Sequence, residues 1–337
     1  MGKYYIKFGI SNKPNAGSKA MRDIMDLLNS QGYKAVLSLP TNANKALKII
    51  DIPILILTIL FRIRRYGTLV YFVPSNVKRI QLLQFMQHIL GFKLICFIND
   101  IEFMRMEKSK EKAKEEINAI AAANIILAPN NNSICILQNE YNLTNRFIPV
   151  GVWDYLAPIP IKKLQNNNEI VFAGNLSKSP FIMQLSQIDL HFSFFGKIDK
   201  INQGNSNMKF HGKRKPNELV NEICHYAWGL VWDGNSIDTC TGLLGNYLRF
   251  NNSHKCGLYL AAEIPLIVWE KSGMAHFVNE NKVGICVESL YEAESIIKGM
   301  NEEEYSKYRD NARRIGENIR HGHYFLEALK KAESISL

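Results

Sequence analysis

Short apolar runs and helix-length mixed segments alternate along this chain almost from end to end. Buried-strand runs occur at Tyr4–Ile10, Tyr33–Leu39, Thr68–Val73, Phe92–Ile98 and Asn124–Leu127. Helical patterns fill the gaps: Ser18 to about Gln31, Val77–Leu90 closing at Gly91, Glu107–Ala122, and a turn or two around Asn131–Gln138. Strands separated by helices of this length predict parallel βαβ units.

The alternation breaks at Pro149–Asn168, where Pro149, Pro158 and Pro160 precede two lysines and a QNNN tract, the composition of a linker. It restarts with strands at Glu169–Ala173, Leu190–Phe195, Trp228–Trp232, Pro265–Trp269 and Val283–Val287. Helical stretches at Glu302–Asn318 and His321–Ser334 close the chain. The expectation is an α/β protein of two Rossmann-like domains, 1–155 and 156–337, facing a central cleft. The last helix could cross back onto the first domain. In open parallel sheets ligands bind beyond the carboxyl ends of the strands, so the loops that leave strands are where chemistry is sought.

At 337 residues the chain is too long for one typical core, which agrees with two domains. A hydrophobic fraction of 47% with 21% charged residues excludes a disordered chain. The 41 basic residues against 31 acidic ones leave a formal charge of +10, which favours acidic partners such as nucleotides, anionic lipid or phosphorylated substrates. Nucleic acid is disfavoured, because aromatics do not interleave with basic runs and Lys213–Lys215 is too short a footprint. The six cysteines are scattered with no CxxC pair, which predicts a reducing, cytoplasmic setting and neither disulfides nor a zinc site. The N-terminus MGKYYIKFGI reads as a strand and lacks a signal peptide's apolar core. The run Ile52–Ile63 (IPILILTILFRI) is well short of the ~20 residues that span a bilayer. It reads as a helix buried in a domain or oligomer interface. With Arg62, Arg64 and Arg65 at its end, it also fits peripheral contact with an anionic membrane.

Five loops carry candidate chemistry. The stretch Asn251–Trp269 sets Asn251, Asn252, His254 and Lys255 on a polar turn at the mouth of an apolar helix. Helix N-termini bind anions, and a lysine there suits a diphosphate. An ordinary N-cap, with Ser253 as cap and Lys255 solvated, gives the same string. After the strand EIVFA come Gly174, Asn175, Ser177, Lys178 and Pro180, a phosphate cradle or a tight turn that needs glycine. After WGLVW comes Asp233 in a polar loop suited to sugar hydroxyls. The glycine-bearing segment behind it, TCTGLLGNYLRF, reads as flexible enough to order over a ligand. In the first half, SNKPNAGS puts Asn15, Gly17 and Ser18 at the strand exit, as acceptor-side candidates. Asp100 and Glu102 follow FKLICFI, where a general base would sit, although Asp100 as a helix cap fits equally well. No GxxxxGK[ST] occurs, so ATP hydrolysis has no support.

The strings GLVWDG, YLRFNNSHKCGLYLAAEIPLIVW and GNLSKS resemble the glucosyltransferases that modify streptococcal and lactobacillal serine-rich-repeat adhesins. That family stands close to β-1,6-galactofuranosyltransferases. The likeness runs from SNKPNAGSKA to ENKVGICVESL. It implies a GT-B fold whose C-terminal domain holds UDP-glucose or a related UDP-sugar, with no metal or other cofactor. It further implies a GlcNAc-modified serine-rich protein as acceptor, glucose as the second sugar, and a homo-oligomer, dimer or tetramer. Lys178 matches the basic residue after GNL, and Lys255 matches the lysine of NNxHK. The family carries His-Asp where this chain reads Asn99-Asp100, which leaves Asp100 rather than position 99 as base candidate. Without a metal, Lys178, Lys255 and backbone N–H groups would stabilise the leaving diphosphate. Two alternatives remain: a galactofuranosyl- or other hexosyltransferase of polysaccharide synthesis, and a non-catalytic partner with the same fold.

Overall fold

The computed structural model describes residues 2–6, 16–36, 45–63, 67–161, 169–197 and 206–336. Asn15, the QNNN tract, Arg64 and Arg65 lie outside the described residues. Two compact units emerge. The first comprises Met1–Asn12, Met21–Val150 and Phe325–Leu337; the second comprises Lys13–Ala20 and Gly151–Tyr324.

The first unit is built on six parallel strands: β1 (Lys3–Ile6), β2 (Lys34–Val36), β3 (Thr68–Val73), β4 (Lys93–Ile98), β5 (Ile125–Ala128) and β6 (Arg146–Pro149), in the order β2-β1-β3-β4-β5-β6. All of β3 and nearly all of β4 is buried, as expected of parallel strands covered on both faces, which read as continuous apolar runs. The helix Val77–Leu90 forms as predicted. Asn76 caps it by accepting from the Arg79 N–H, and Gly91 ends it in the left-handed conformation at φ 67°. The Tyr71 hydroxyl donates to the Ala119 carbonyl at 2.6 Å and ties the helix Lys110–Ala121 to the sheet.

The terminal stretch belongs with this unit for visible reasons. Phe325 is fully buried edge-on against Phe97 at 5.4 Å. The Lys93 ammonium donates to the carbonyls of Ala332, Glu333 and Ile335 at the end of the helix His323–Ser334. Such a cation satisfies carbonyls that a helix end leaves unpaired.

Two sequence expectations need correction here. Pro149 marks the end of β6 rather than a break in the pattern, because β6 is an edge strand and has no ladder to lose on its outer side. The expected linker is also partly core. Val152, Trp153, Asp154 and Tyr155 are buried, and Val152 and Tyr155 enter the apolar cluster of the second unit.

The second unit carries β7 (Glu169–Ala173), β8 (His191–Phe195), β9 (Met208–Gly212), β10 (Trp228–Val231), β11 (Leu266–Trp269) and β12 (Gly284–Val287), all parallel, in the order β12-β11-β10-β7-β8-β9. The chain winds outward through β8 and β9, then crosses back to β10 and winds the other way. The reversal makes β7/β10 the topological switch point, the crevice where open α/β sheets hold ligands. Two apolar clusters cover the sheet, one under the helices Pro216–Ile223 and His254–Ala261, the other around Trp228, Trp232 and Trp269. Among the described residues, no helix is long and apolar enough to cross a membrane.

Candidate functional site

The exits of β7 and β10 meet the start of the helix His254–Ala261, and the residues there form one connected arrangement. At the end of β7 the Ala173 N–H donates to the Tyr259 phenol oxygen at 2.8 Å. Tyr259 is wholly buried, and burial raises its phenol far above the ordinary range, so it stays neutral. Gly174 follows. A side chain here would put a Cβ 3.2 Å from the Lys255 Cε, so glycine leaves the room that the lysine occupies. Asn175, Ser177 and Lys178 then lie exposed on a tight turn, with the Lys178 N–H donating to the Asn175 carbonyl at 3.1 Å. Pro180 opens the helical turns Pro180–Gln187, where its missing N–H costs nothing.

Beyond β10, the Asp233 carboxylate accepts from the Lys255 ammonium at 2.9 Å, with side chains only 21% and 15% exposed. The ammonium also lies over the Phe172 ring, 4.9 Å from its centroid. The loop that starts at Asp233 is pinned ahead of the segment TCTGLLGNYLRF, of which Gly242–Tyr247 is helical. The Gln184 side chain donates to the Asn235 carbonyl at 2.9 Å and accepts from the Ile237 N–H at 3.2 Å. Gly234 sits at φ +110°, and a Cβ there would approach the Thr241 carbonyl oxygen to 2.3 Å. Burial pushes the Cys240 and Cys256 thiols beside this loop up to about 12, so both are neutral packing groups.

Ser253 caps the helix, its hydroxyl accepting from the Lys255 N–H at 3.4 Å. The cap reading is therefore right about Ser253, whereas Lys255 is held in an ion pair instead of solvated. His254 stacks on Trp153 with centroids 4.2 Å apart, and Asn252 is buried in the turn before the cap. The buried Asn251 side-chain oxygen has no hydrogen-bond partner among the described residues.

The structure thus brings Gly174, Asp233 and Lys255 together, with Lys178 on the adjoining turn. Sequence reasoning missed Phe172, Tyr259 and Gln184. Tyr259 was reachable, since it lies four residues beyond Lys255 on the same helix face. Chemically, a fixed ammonium beside a helix N-terminus at a switch point can hold an oxyanion, and Asp233 can accept hydroxyl protons.

The other candidates stand elsewhere. Asp100 and Glu102 belong to the first unit. Asp100 accepts from Arg105 at 2.7 Å, and Glu102 pairs with Lys108. Ile101 stands at the N-cap position of the following turn, and the Glu116 carboxylate accepts from the Glu102 and Phe103 N–H groups there at 2.7 and 3.1 Å. Gly17 is exposed and Ser18 buried in the first turn of the helix Ala16–Ser30. Lys19 beside them is buried, donating to the Leu156 carbonyl at 2.7 Å.

Comparison with known proteins agrees with this geometry. The chain is 27% identical over 331 residues to a β-1,6-galactofuranosyltransferase, WbbI of Escherichia coli K12, covering 97% of each. It is 26% identical over 243 residues to glucosyltransferase 3 of Streptococcus gordonii, covering 72% of this chain and 71% of the relative. Anabaena HepE, solved in complex with UDP-glucose, matches at a TM-score of 0.60 with 13% identity, over 99% of this chain and 100% of that one, which gives the GT-B fold. The glucosyltransferase 3-like N-terminal domain matches residues 3–150 and the corresponding C-terminal domain residues 170–332. The chain belongs to the glucosyltransferase 3-like family.

Proposed function

We propose that the protein is a hexosyltransferase that takes its sugar from a UDP-sugar, with the donor at the β7/β10 switch point. The observation that carries this reading is Lys255, a cation fixed at a capped helix start beside the Gly174 gap. Lys255 and Lys178 would bind the diphosphate, and Asp233 would accept from sugar hydroxyls. An acceptor hydroxyl attacks the anomeric carbon, the bond to the diphosphate breaks, and UDP leaves. The hydroxyl proton passes to Asp100 or Glu102, either of which must first release its cation. Cationic side chains and N–H groups serve the leaving group in this scheme, without a divalent metal.

For the acceptor, the family supports glucose transfer to a GlcNAc-modified serine-rich adhesin, by a cytoplasmic homo-oligomer. Its six free cysteines suit that compartment. The match to WbbI along nearly the whole chain favours a second reading, galactofuranosyl transfer in polysaccharide synthesis. A screen of UDP-glucose, UDP-galactose and UDP-galactofuranose, with EDTA present, separates these. The acceptors are a GlcNAc-modified serine-rich peptide and a GlcNAc lipid, with product mass as readout. A hexose added from one donor to one acceptor selects a reading. No transfer from any donor leaves the fold as a non-catalytic partner and refutes the proposal.

A further inference from the structure

The helical turns Pro180–Gln187 stand on β7 and reach across to the loop behind β10. Phe181 is wholly buried and packs edge-on against Phe172 of β7, with centroids 5.4 Å apart. Ile182 and Leu185 are buried as well, which makes these turns a packed base, continuous with the turn that carries Lys178. From this base Gln184 spans the gap to the loop. Its amide nitrogen donates to the Asn235 carbonyl at 2.9 Å, and its amide oxygen accepts from the Ile237 N–H at 3.2 Å. A planar amide that donates and accepts in this way stands in for the backbone of a neighbouring strand.

The rest of the loop is fastened at its carbonyls. That of Gly234 accepts from the Phe181 N–H at 3.3 Å, that of Ser236 from the Trp232 indole at 2.9 Å, and that of Ile237 from the Leu290 N–H at 2.8 Å. Four successive carbonyls, 234 to 237, are therefore each held by a different residue. Asp233 stands at the head of this run. A Cβ at Gly245 would lie 3.1 Å from the Asp233 carbonyl oxygen, so the helix Gly242–Tyr247 closes on the same residue. In the donor reading above, the diphosphate takes Lys255, and the Asp233 carboxylate loses the cation that fixes it. From then on the attachments of the loop set where that carboxylate stands, and a binding group has to be held to within about 0.5 Å.

We infer that Gln184 is a positioning residue for the sugar of the donor. It holds the Asp233 loop at a set distance from the Lys178 turn, so that the carboxylate meets sugar hydroxyls while the lysines meet the diphosphate. This role rests on the donor reading and adds a division of labour to it. Among the described residues Gln184 makes no hydrogen bond to Lys178 or Lys255, so its loss bears on the sugar and spares the nucleotide.

Calorimetry on the full chain tests it, with UDP, UDP-glucose, UDP-galactose and UDP-galactofuranose. Gln184→Met keeps the length of the side chain and removes both hydrogen bonds. Gln184→Glu keeps an acceptor for Ile237 but sets a carboxylate against the Asn235 carbonyl. Both weaken the sugar nucleotide that the parent prefers by roughly tenfold or more, the loss of one charge-assisted contact, and change UDP binding by less than about twofold. Gln187→Met, on the same turns, loses the bond from the Tyr291 hydroxyl at 2.7 Å and leaves both affinities unchanged. Urea melts establish that the variants fold. The inference is overturned if both Gln184 variants keep the parent's ratio of sugar-nucleotide to UDP affinity, weaken UDP as much as the sugar nucleotide, or fail to fold. It is overturned as well if Gln187→Met shifts the ratio as they do. A parent that binds no UDP refutes the donor reading and this role with it, whereas a parent that binds UDP beside variants with an unchanged ratio refutes this role alone.

Discussion

Replacing Lys255 by methionine keeps most of the apolar stem and removes the charge, which makes it the sharpest test of the site. The ammonium sits 2.9 Å from Asp233 and 4.9 Å from the centroid of Phe172. Breaking a fully buried pair costs about 3–5 kcal/mol, whereas a solvated pair contributes ~0–1 kcal/mol. With side chains 15% and 21% exposed, the pair lies nearer the buried limit. Screening through that opening brings the expected cost of Lys255→Met to about 2 kcal/mol. Most of that penalty comes from the stranded Asp233 carboxylate, so Lys255→Met/Asp233→Asn should recover about 1 kcal/mol of it.

Binding follows a different pattern from stability, and the contrast gives the experiment its force. A charge-assisted contact to phosphate contributes about 1.5–3 kcal/mol, so Lys255→Met should weaken UDP binding by roughly 10- to 150-fold. Asp233 competes with the diphosphate for the same ammonium. Asp233→Asn should therefore leave UDP binding equal or tighter, while weakening a UDP-sugar if the carboxylate grips sugar hydroxyls. Urea melts give the stability terms, and calorimetry with UDP and UDP-glucose gives the affinities. If Lys255→Met binds UDP as tightly as the parent, the lysine is structural and the donor assignment fails. If Asp233→Asn loses UDP as severely as Lys255→Met, the competition argument fails.

Two further outcomes probe the scaffold that holds the site. Tyr259→Phe removes the oxygen that accepts from Ala173 and strands a buried N–H, which should cost about 1–3 kcal/mol in a urea melt; a change below ~0.5 kcal/mol would show that the bond does not organise the β7 exit. Lys93→Met deletes three bonds to the carbonyls of Ala332, Glu333 and Ile335, and amide exchange over residues 330–336 should speed up at least tenfold; unchanged protection would mean that Phe325 packing alone anchors the terminus.

What the sequence disclosed, and what it hid, follows from how each feature is built. β3, β7 and the helix Val77–Leu90 were readable because each is specified locally: six and five consecutive residues suited to burial, and a helix bracketed by Asn76 and Gly91. β6 and β9 were not, because edge strands are half-wet and tolerate Pro149 in one and a charged neighbourhood around Lys213–Lys215 in the other. The loops of the site were readable for a related reason. Gly174 and Asp233 follow apolar strands, and parallel sheets present their ligand edge there. The ion pair was unreadable, since Asp233 and Lys255 are 22 residues apart and meet only because β10 and the helix His254–Ala261 lie side by side. That unseen contact changes the chemistry of the lysine. A motif alone presents Lys255 as a cation awaiting phosphate, but the fold gives it an internal anion first. The proposed diphosphate must therefore displace Asp233, and the freed carboxylate is left beside the incoming sugar, where hydroxyl protons can satisfy it. One exchange of partners would then serve both ends of the donor, which is why Asp233→Asn should separate UDP from UDP-sugar binding while Lys255→Met weakens both.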